Sequence, residues 1–330
     1  MRKLFLALVF FLAIAFIILS FSELQEILET LRRSDPRFIF LALLLEIGWL
    51  FNAALTYRSI YRMLGLDDDY RHLVLVVSAA NFVNVVAPSV GMGGMAVFID
   101  DGHRRGHSPG RVTVAGALYV LFDYAAFLCV LALGLIVLIR RNNLGAGEVT
   151  ASVILLIIAT VLAALLYLGS RSARALGNTL AWMARLVNRI LRPFIHRDYL
   201  DEQRAHTFAA EVADGLSEPR RDPKRMLRPL LFALNNKALL ICILLLTFLA
   251  FRVPFSAGTI VAGFAIGYLF FIVSPTPSGV GVVEGMLPLA LNSLRVPWSQ
   301  AVIITLTFRA ITFWVPLGLG GLAFRWLQRG

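Results

Sequence analysis

Five ionisable side chains stand inside long apolar stretches of this 330-residue chain: Glu46, Asp123, Lys237, Glu284 and Arg309. Charge in such surroundings either pairs with its opposite or marks the path of a charged guest. Arg309 offers a planar fork that matches two oxygens of a phosphate, whereas Lys237 is a compact point charge. The three carboxylates can serve as counter-charges or proton carriers. Two readings stand together here: structural ion pairs that lock helices, or a polar site in which Arg309 and Lys237 meet a phosphate group. Asn84 and Asn236, with Asn81 and Asn235, add neutral polar groups suited to lining a cavity or to bonding between helices.

Two breaks carry the next signal. "VAPSVGMGG" supplies Pro88, Gly91, Gly93 and Gly94, and "VSPTPSGVGVVEG" supplies Pro275, Pro277, Gly279, Gly281 and Glu284. Proline stops an incoming helix and fixes φ, while glycine lets the chain turn and approach closely. The half-helix after the second break is expected to begin near Val282, so that its free N–H groups and positive dipole end face inward and favour an anion. Glu284 falls in that first turn, where it complements the dipole as a cap or serves an interior site.

The elements that must hold these residues are set by composition. The chain is 58% hydrophobic and 15% charged, with a mean hydropathy of +0.77; soluble chains run near 25% charged. That balance indicates an all-α polytopic membrane protein, because only helices and closed barrels satisfy their backbone in lipid. A crossing needs about 20 apolar residues, and six stretches qualify: Leu4–Phe21, Phe38–Tyr57, Val112–Ile139, Ala151–Leu168, Leu230–Phe251 and Ala301–Leu327. The first follows Arg2 and Lys3 without a small-residue cleavage site, and reads as a retained helix rather than a signal peptide. Leu73–Gly102 and Gly258–Leu294, each apolar on both sides of a break, read as two re-entrant helical hairpins.

With both termini in the cytoplasm, the cytoplasmic segments hold 22 of the 31 Lys/Arg and the outside loops 7, an asymmetry that fits the positive-inside tendency of a cell-membrane protein. The net charge of +11 is thereby explained without nucleic acid. The same topology exposes an inverted repeat of span, span, hairpin and span, over 1–139 and again over 151–327, the second interrupted by a cytoplasmic insertion at 170–228. Asp123 and Arg309 take corresponding places, as do Glu46 and Lys237 by position within their spans. Inverted repeats with broken helices are a transporter architecture whose substrate sites lie near the midplane.

Within the insertion, Leu176, Leu180, Met183, Val187, Leu191 and Phe194 recur at helical spacing, with Arg185, Arg189 and Arg192 on another face. That basic amphipathic helix, within 170–195, suits an anionic membrane surface or packing on the protein's own loops. In "DDGHRRGH", Gly102 and Gly106 argue against the helix that would align His103 with His107, so no metal is expected there and Asp100 and Asp101 are expected to be solvated. Cys129 and Cys242 sit in apolar spans with no metal or redox spacing. No nucleotide-binding loop or nucleophile elbow is present, and no cofactor is implied.

The pattern P-x-P-x-G-x-G-x-x-E, met as Pro275, Pro277, Gly279, Gly281 and Glu284, resembles the membrane region of lysylphosphatidylglycerol synthases, which also occurs in stand-alone flippase-like proteins. Pro88, Gly93 and Gly94 are similar to the family's earlier motif, and Asp123 and the stretch from Arg309 fit it too; Met95 and Leu121 depart from its usual polar residues. The resemblance implies handling of anionic, aminoacylated or polyprenyl- or glycan-linked lipids. It implies no enzyme activity here, since the family's aminoacyl transfer belongs to a separate soluble domain. Three functions remain on these grounds: a lipid translocase, a membrane subunit working with a soluble lipid-modifying or glycosyltransferase partner, and a small-solute transporter.

Overall fold

A computed structural model describes residues 34–86, 92–141, 145–195, 202–216, 223–274 and 276–328. The expected first span, and with it Pro88, Gly91 and Pro275, lies outside these residues. Every regular element among them is helical. Numbered from the first described helix, α1 is Pro36–Met63, α2 Tyr70–Val86, α3 Met92–Arg104, α4 Pro109–Arg140, α5 Ala146–Arg171, α6 Ala173–Ile195 and α7 Glu202–Gly215. Then follow α8 Leu227–Ala250, α9 Ala257–Val273, α10 Val282–Ser293, α11 Trp298–Arg309 and α12 Val315–Leu327.

The ends of these helices follow local rules. Asp35 caps α1 by accepting the Arg37 N–H at 3.0 Å, and Pro36 occupies the first turn, where its missing donor does no harm. Ser256 caps α9 by accepting the Thr259 N–H at 3.1 Å. A carboxylate distant in sequence caps α4: Glu211 Oε2 of α7 accepts the Gly110 N–H at 2.7 Å and the Ser108 hydroxyl at 2.9 Å. α7 is thus tied to α4 by a charge-assisted bond, and Arg111 pairs with Asp214 beside it.

Five helices among the described residues are long and apolar enough to cross a membrane: α1, α4, α5, α8 with the turn that leads into it, and the continuous run Trp298–Leu327. That last run contains α11, a π-helical stretch at Ala310–Trp314, and α12. Large apolar side chains remain outward along these helices, including Phe40, Leu133, Leu156, Ile157 and Leu322. Water would penalise such a belt and lipid does not. The chain is an all-α polytopic membrane protein.

The shorter apolar helices α2 and α9 have 17 residues each, about 26 Å at 1.5 Å per residue, less than the roughly 30 Å of hydrocarbon. Each packs against the helix beyond its break, α2 on α3 and α9 on α10. Longer-range packing exchanges partners: α1 lies along α8, α2 along α12, and α9 along α4. Two of these contacts depend on glycine. A Cβ on Gly320 of α12 would collide with the Ser78 carbonyl oxygen of α2, and a Cβ on Gly134 of α4 would collide with that of Ala265 of α9.

The stretch read as irregular around Gly102 is helical through Arg104. Gly102 is tolerated there because a side chain at that position would strike Val112, so its absence lets α3 approach α4. In the insertion, α6 packs on α7 and α5, and Leu176 is buried with Val212 and Leu216. Trp182 and Met183 of α6 remain exposed.

Candidate functional site

The second break is built around Arg309. Ser278 (φ 50°), Gly279 (φ 70°) and Gly281 (φ 80°) turn through left-handed conformations, and only Ser278 does so against a Cβ penalty. Val282 then opens α10. Glu284, in its first turn, uses both oxygens: Oε2 accepts the Gly281 N–H at 2.8 Å and Oε1 accepts Nε of Arg309 at 2.6 Å. Nη2 of Arg309 donates to the Ser278 carbonyl at 3.1 Å, so one guanidinium braces both the cap and the strained residue. The same group lies 4.7 Å from the Phe313 ring centroid. Its Nη1 makes no hydrogen bond among the described residues.

A second buried charge group lies between α4, α8 and α9. Lys237 Nζ, 1% exposed, donates to Asp123 Oδ1 at 2.6 Å and to the Tyr268 hydroxyl oxygen at 2.5 Å. Tyr268 in turn donates to Asp123 Oδ2 at 3.1 Å. The ammonium also stands 3.9 Å from the Tyr268 ring centroid. All three groups satisfy one another, as buried charge requires.

Between the two groups is a cavity of about 110 Å³ lined by Glu46, Trp49, Tyr268, Arg309 and Thr312, with Phe271 and Phe308 among its apolar walls. Drug-sized ligands occupy pockets of roughly 300–1,000 Å³, so this one admits a single small polar group or a few waters. Glu46 is 1% exposed, and among the described residues its Oε2 finds no partner; Trp49 Nε1 is likewise buried and unpaired among them.

The four charges Asp123, Lys237, Glu284 and Arg309 therefore form two pairs, and Glu46 joins Arg309 at the cavity. The asparagines go elsewhere. Asn236 Oδ1 accepts Asn52 Nδ2 at 2.6 Å, and Asn235 Nδ2 donates to Asn52 Oδ1 at 3.0 Å, stitching α1 to α8. Asn84 Oδ1 accepts the Gly94 N–H at 2.6 Å and so braces the first break, beside the buried Gly93. Pro277 begins the short 3-10 turn that ends at Gly279. Sequence reasoning missed Tyr268, Trp49 and the π-helical stretch. Tyr268 carried a signal, being the one hydroxyl-tipped aromatic in "AGFAIGYLFFIV"; buried tyrosine hydroxyls need a partner.

A further cluster forms at the end of α3. His72 Nε2 lies 2.9 and 3.0 Å from the two oxygens of Asp101, and Arg105 pairs with Asp68 at 2.7 Å. Asp101 is thus paired, while Asp100 stays exposed and pairs with Arg104, one helical turn on. The hydrogen bond to Asp101 pushes the His72 pKa up, whereas burial pushes that of Asp68 up against the pull of Arg105. Asp68, His72 and Asp101 offer ligand atoms within 4.8 Å of one another, but His72 and Asp101 already bond each other. His103 and His107 take no part.

The lysylphosphatidylglycerol synthase TM region family model matches residues 4–320, which takes in α1 to α11, the start of α12 and both pairs. The chain belongs to that family. A curated relative, the UPF0104 membrane protein of Methanothermobacter thermautotrophicus, is 24% identical over 299 residues, covering 89% of this chain and 87% of the relative. Family membership and the apolar helices make this a multi-pass membrane protein.

Proposed function

We propose that the protein is a lipid translocase of the cell membrane, in which the phosphate of an anionic phospholipid headgroup engages Arg309 at the cavity while the acyl chains stay in lipid. The observation that carries this reading is the state of Arg309. It is 4% exposed, lines the cavity, opens a π-helical stretch, and keeps one nitrogen of its fork without a hydrogen-bond partner among the described residues. π-Helical turns inside α-helices recur at functional sites, and a guanidinium with a spare donor is suited to a phosphate oxygen.

The exchanged packing supports the inverted repeat that alternating access requires. Gly134 and Gly320 stand eleven residues after Asp123 and Arg309, and their contacts, Ala265 and Ser78, stand ten residues before Pro275 and Pro88. The same close crossing occurs at corresponding places in both halves. On this reading the pairs α2–α3 and α9–α10 are hairpins that enter from opposite sides, and α6 rests its exposed Trp182 and Met183 on the cytoplasmic membrane surface, with both termini on that side.

Reconstituted vesicles containing headgroup-labelled phosphatidylglycerol test the proposal. Wild-type protein is expected to move label between leaflets, and Arg309→Gln to slow it by tenfold or more, given about 1.5–3 kcal/mol for a charge-assisted hydrogen bond. Equal rates for empty vesicles and wild type would sink the reading.

A further inference from the structure

Of the three deep carboxyl groups Glu46, Asp123 and Glu284, two hold a cation. Asp123 holds Lys237 and Glu284 holds Arg309, each at 2.6 Å. Among the described residues Glu46 has no such partner, although it lines the cavity with Arg309. Among the described residues, the other deep charges already have partners. From α4, α8 and α9 come Asp123, Lys237 and Tyr268, bonded to one another; from α10 and α11 come Glu284 and Arg309, bonded to each other. The charges and hydroxyl-bearing rings of α2 and α12 are confined to helix ends, at Tyr70–His72 and Arg325.

A bare carboxylate enclosed in this way is costly, and a bound proton removes that cost. Opening the cavity to water on either side would restore solvation to the ionised form, with the Trp49 indole N–H able to reach it through water.

We propose that Glu46 is a proton-binding site that couples lipid movement to the proton gradient; the coupling rests on the translocase reading above. The carboxylic acid gives its proton to water when the cavity opens to one side, leaving a carboxylate and hydronium. It regains a proton from hydronium when the cavity opens to the other side. Only O–H bonds form and break, and one proton crosses per cycle.

Two measurements on the full-length protein test this. Infrared difference spectra between about pH 5 and about pH 9 should contain a protonated-carboxyl carbonyl band that Glu46→Gln removes. The amide is isosteric, so folding can be checked by gel filtration alongside. If Glu46→Gln removes no such band, the proton site is overturned whether or not lipid moves. In vesicles with labelled phosphatidylglycerol, reversing an imposed pH gradient should change the wild-type rate several-fold and leave the rate of Glu46→Gln unaltered. A wild-type rate indifferent to the gradient, or a response that survives in Glu46→Gln, overturns the coupling while translocation stands. If wild type moves no lipid at all, the translocase reading and the coupling fall together, and the infrared result alone decides the proton site.

Discussion

Arg309 and Glu284 meet at 2.6 Å, joining the last crossing helix to the half-helix that follows the second break. The contact fixes three things at once, because the same two side chains also hold the Gly281 N–H and the Ser278 carbonyl. Removing one partner from a buried pair strands the other charge and costs about 3–5 kcal/mol. Glu284→Ala and Arg309→Met are each expected to lose that much, and the double variant less than their sum. Unfolding measured in detergent or lipid on the four-member cycle checks this. Strict additivity would show that the pair is not coupled.

Lys237 and Asp123 make the parallel case with a different rescue. Asp123→Asn leaves a buried ammonium with neutral acceptors, so its destabilisation should exceed that of Tyr268→Phe, which removes a neutral hydroxyl. The stranded ammonium accounts for about 3–5 kcal/mol and the hydroxyl for about 1–3 kcal/mol. Replacing both charges, as Asp123→Asn with Lys237→Met, should recover part of the loss, since well-packed apolar replacements of buried pairs are often tolerated. Thermal midpoints of the four proteins decide the order.

The glycine crossings separate packing from propensity. Gly320→Ala puts a methyl group into the Ser78 carbonyl, whereas Gly318→Ala, two residues earlier in the same helix, meets nothing within 4 Å. The first should destabilise by about 1–3 kcal/mol through overpacking. The second should be neutral or stabilising by up to about 1 kcal/mol, because alanine is the better helix former. Gly134→Ala is expected to follow Gly320→Ala. Similar thermal shifts for Gly318→Ala and Gly320→Ala would contradict the close crossing.

A pH dependence follows from His72. Its hydrogen bond to Asp101 holds the protonated ring and raises the folded-state pKa above that of the unfolded chain. Stability from this contact is therefore complete below about pH 6.5, the unperturbed value, and is lost as pH rises through the folded pKa. Wild type should exceed His72→Gln in thermal stability at about pH 6, and the gap should narrow by about pH 9. A gap that stays constant or widens would reverse the assignment.

Much of the fold is legible in the sequence. A chain with so few charges and such long apolar runs must satisfy its backbone internally, so helices, their approximate spans and the breaks at Pro277 and Gly281 follow from local composition. The depth of Glu46, Asp123, Lys237, Glu284 and Arg309 follows in the same way, because apolar length on either side sets depth. Gly102 marks the limit of local reasoning: its helix-breaking tendency was overridden by close packing against Val112.

Only the tertiary structure decided which charge met which. Lys237 and Asp123 are 114 residues apart, and Asn52 and Asn236 are 184 apart. Their meeting depends on how each helix is rotated and where it crosses its neighbour, quantities set by non-local packing rather than by hydrophobic period. The same packing left Glu46 at the cavity with no cation bonded to it among the described residues. Sequence determines that a charge lies deep, since depth is a local property; geometry alone determines whether that charge is satisfied or free to act.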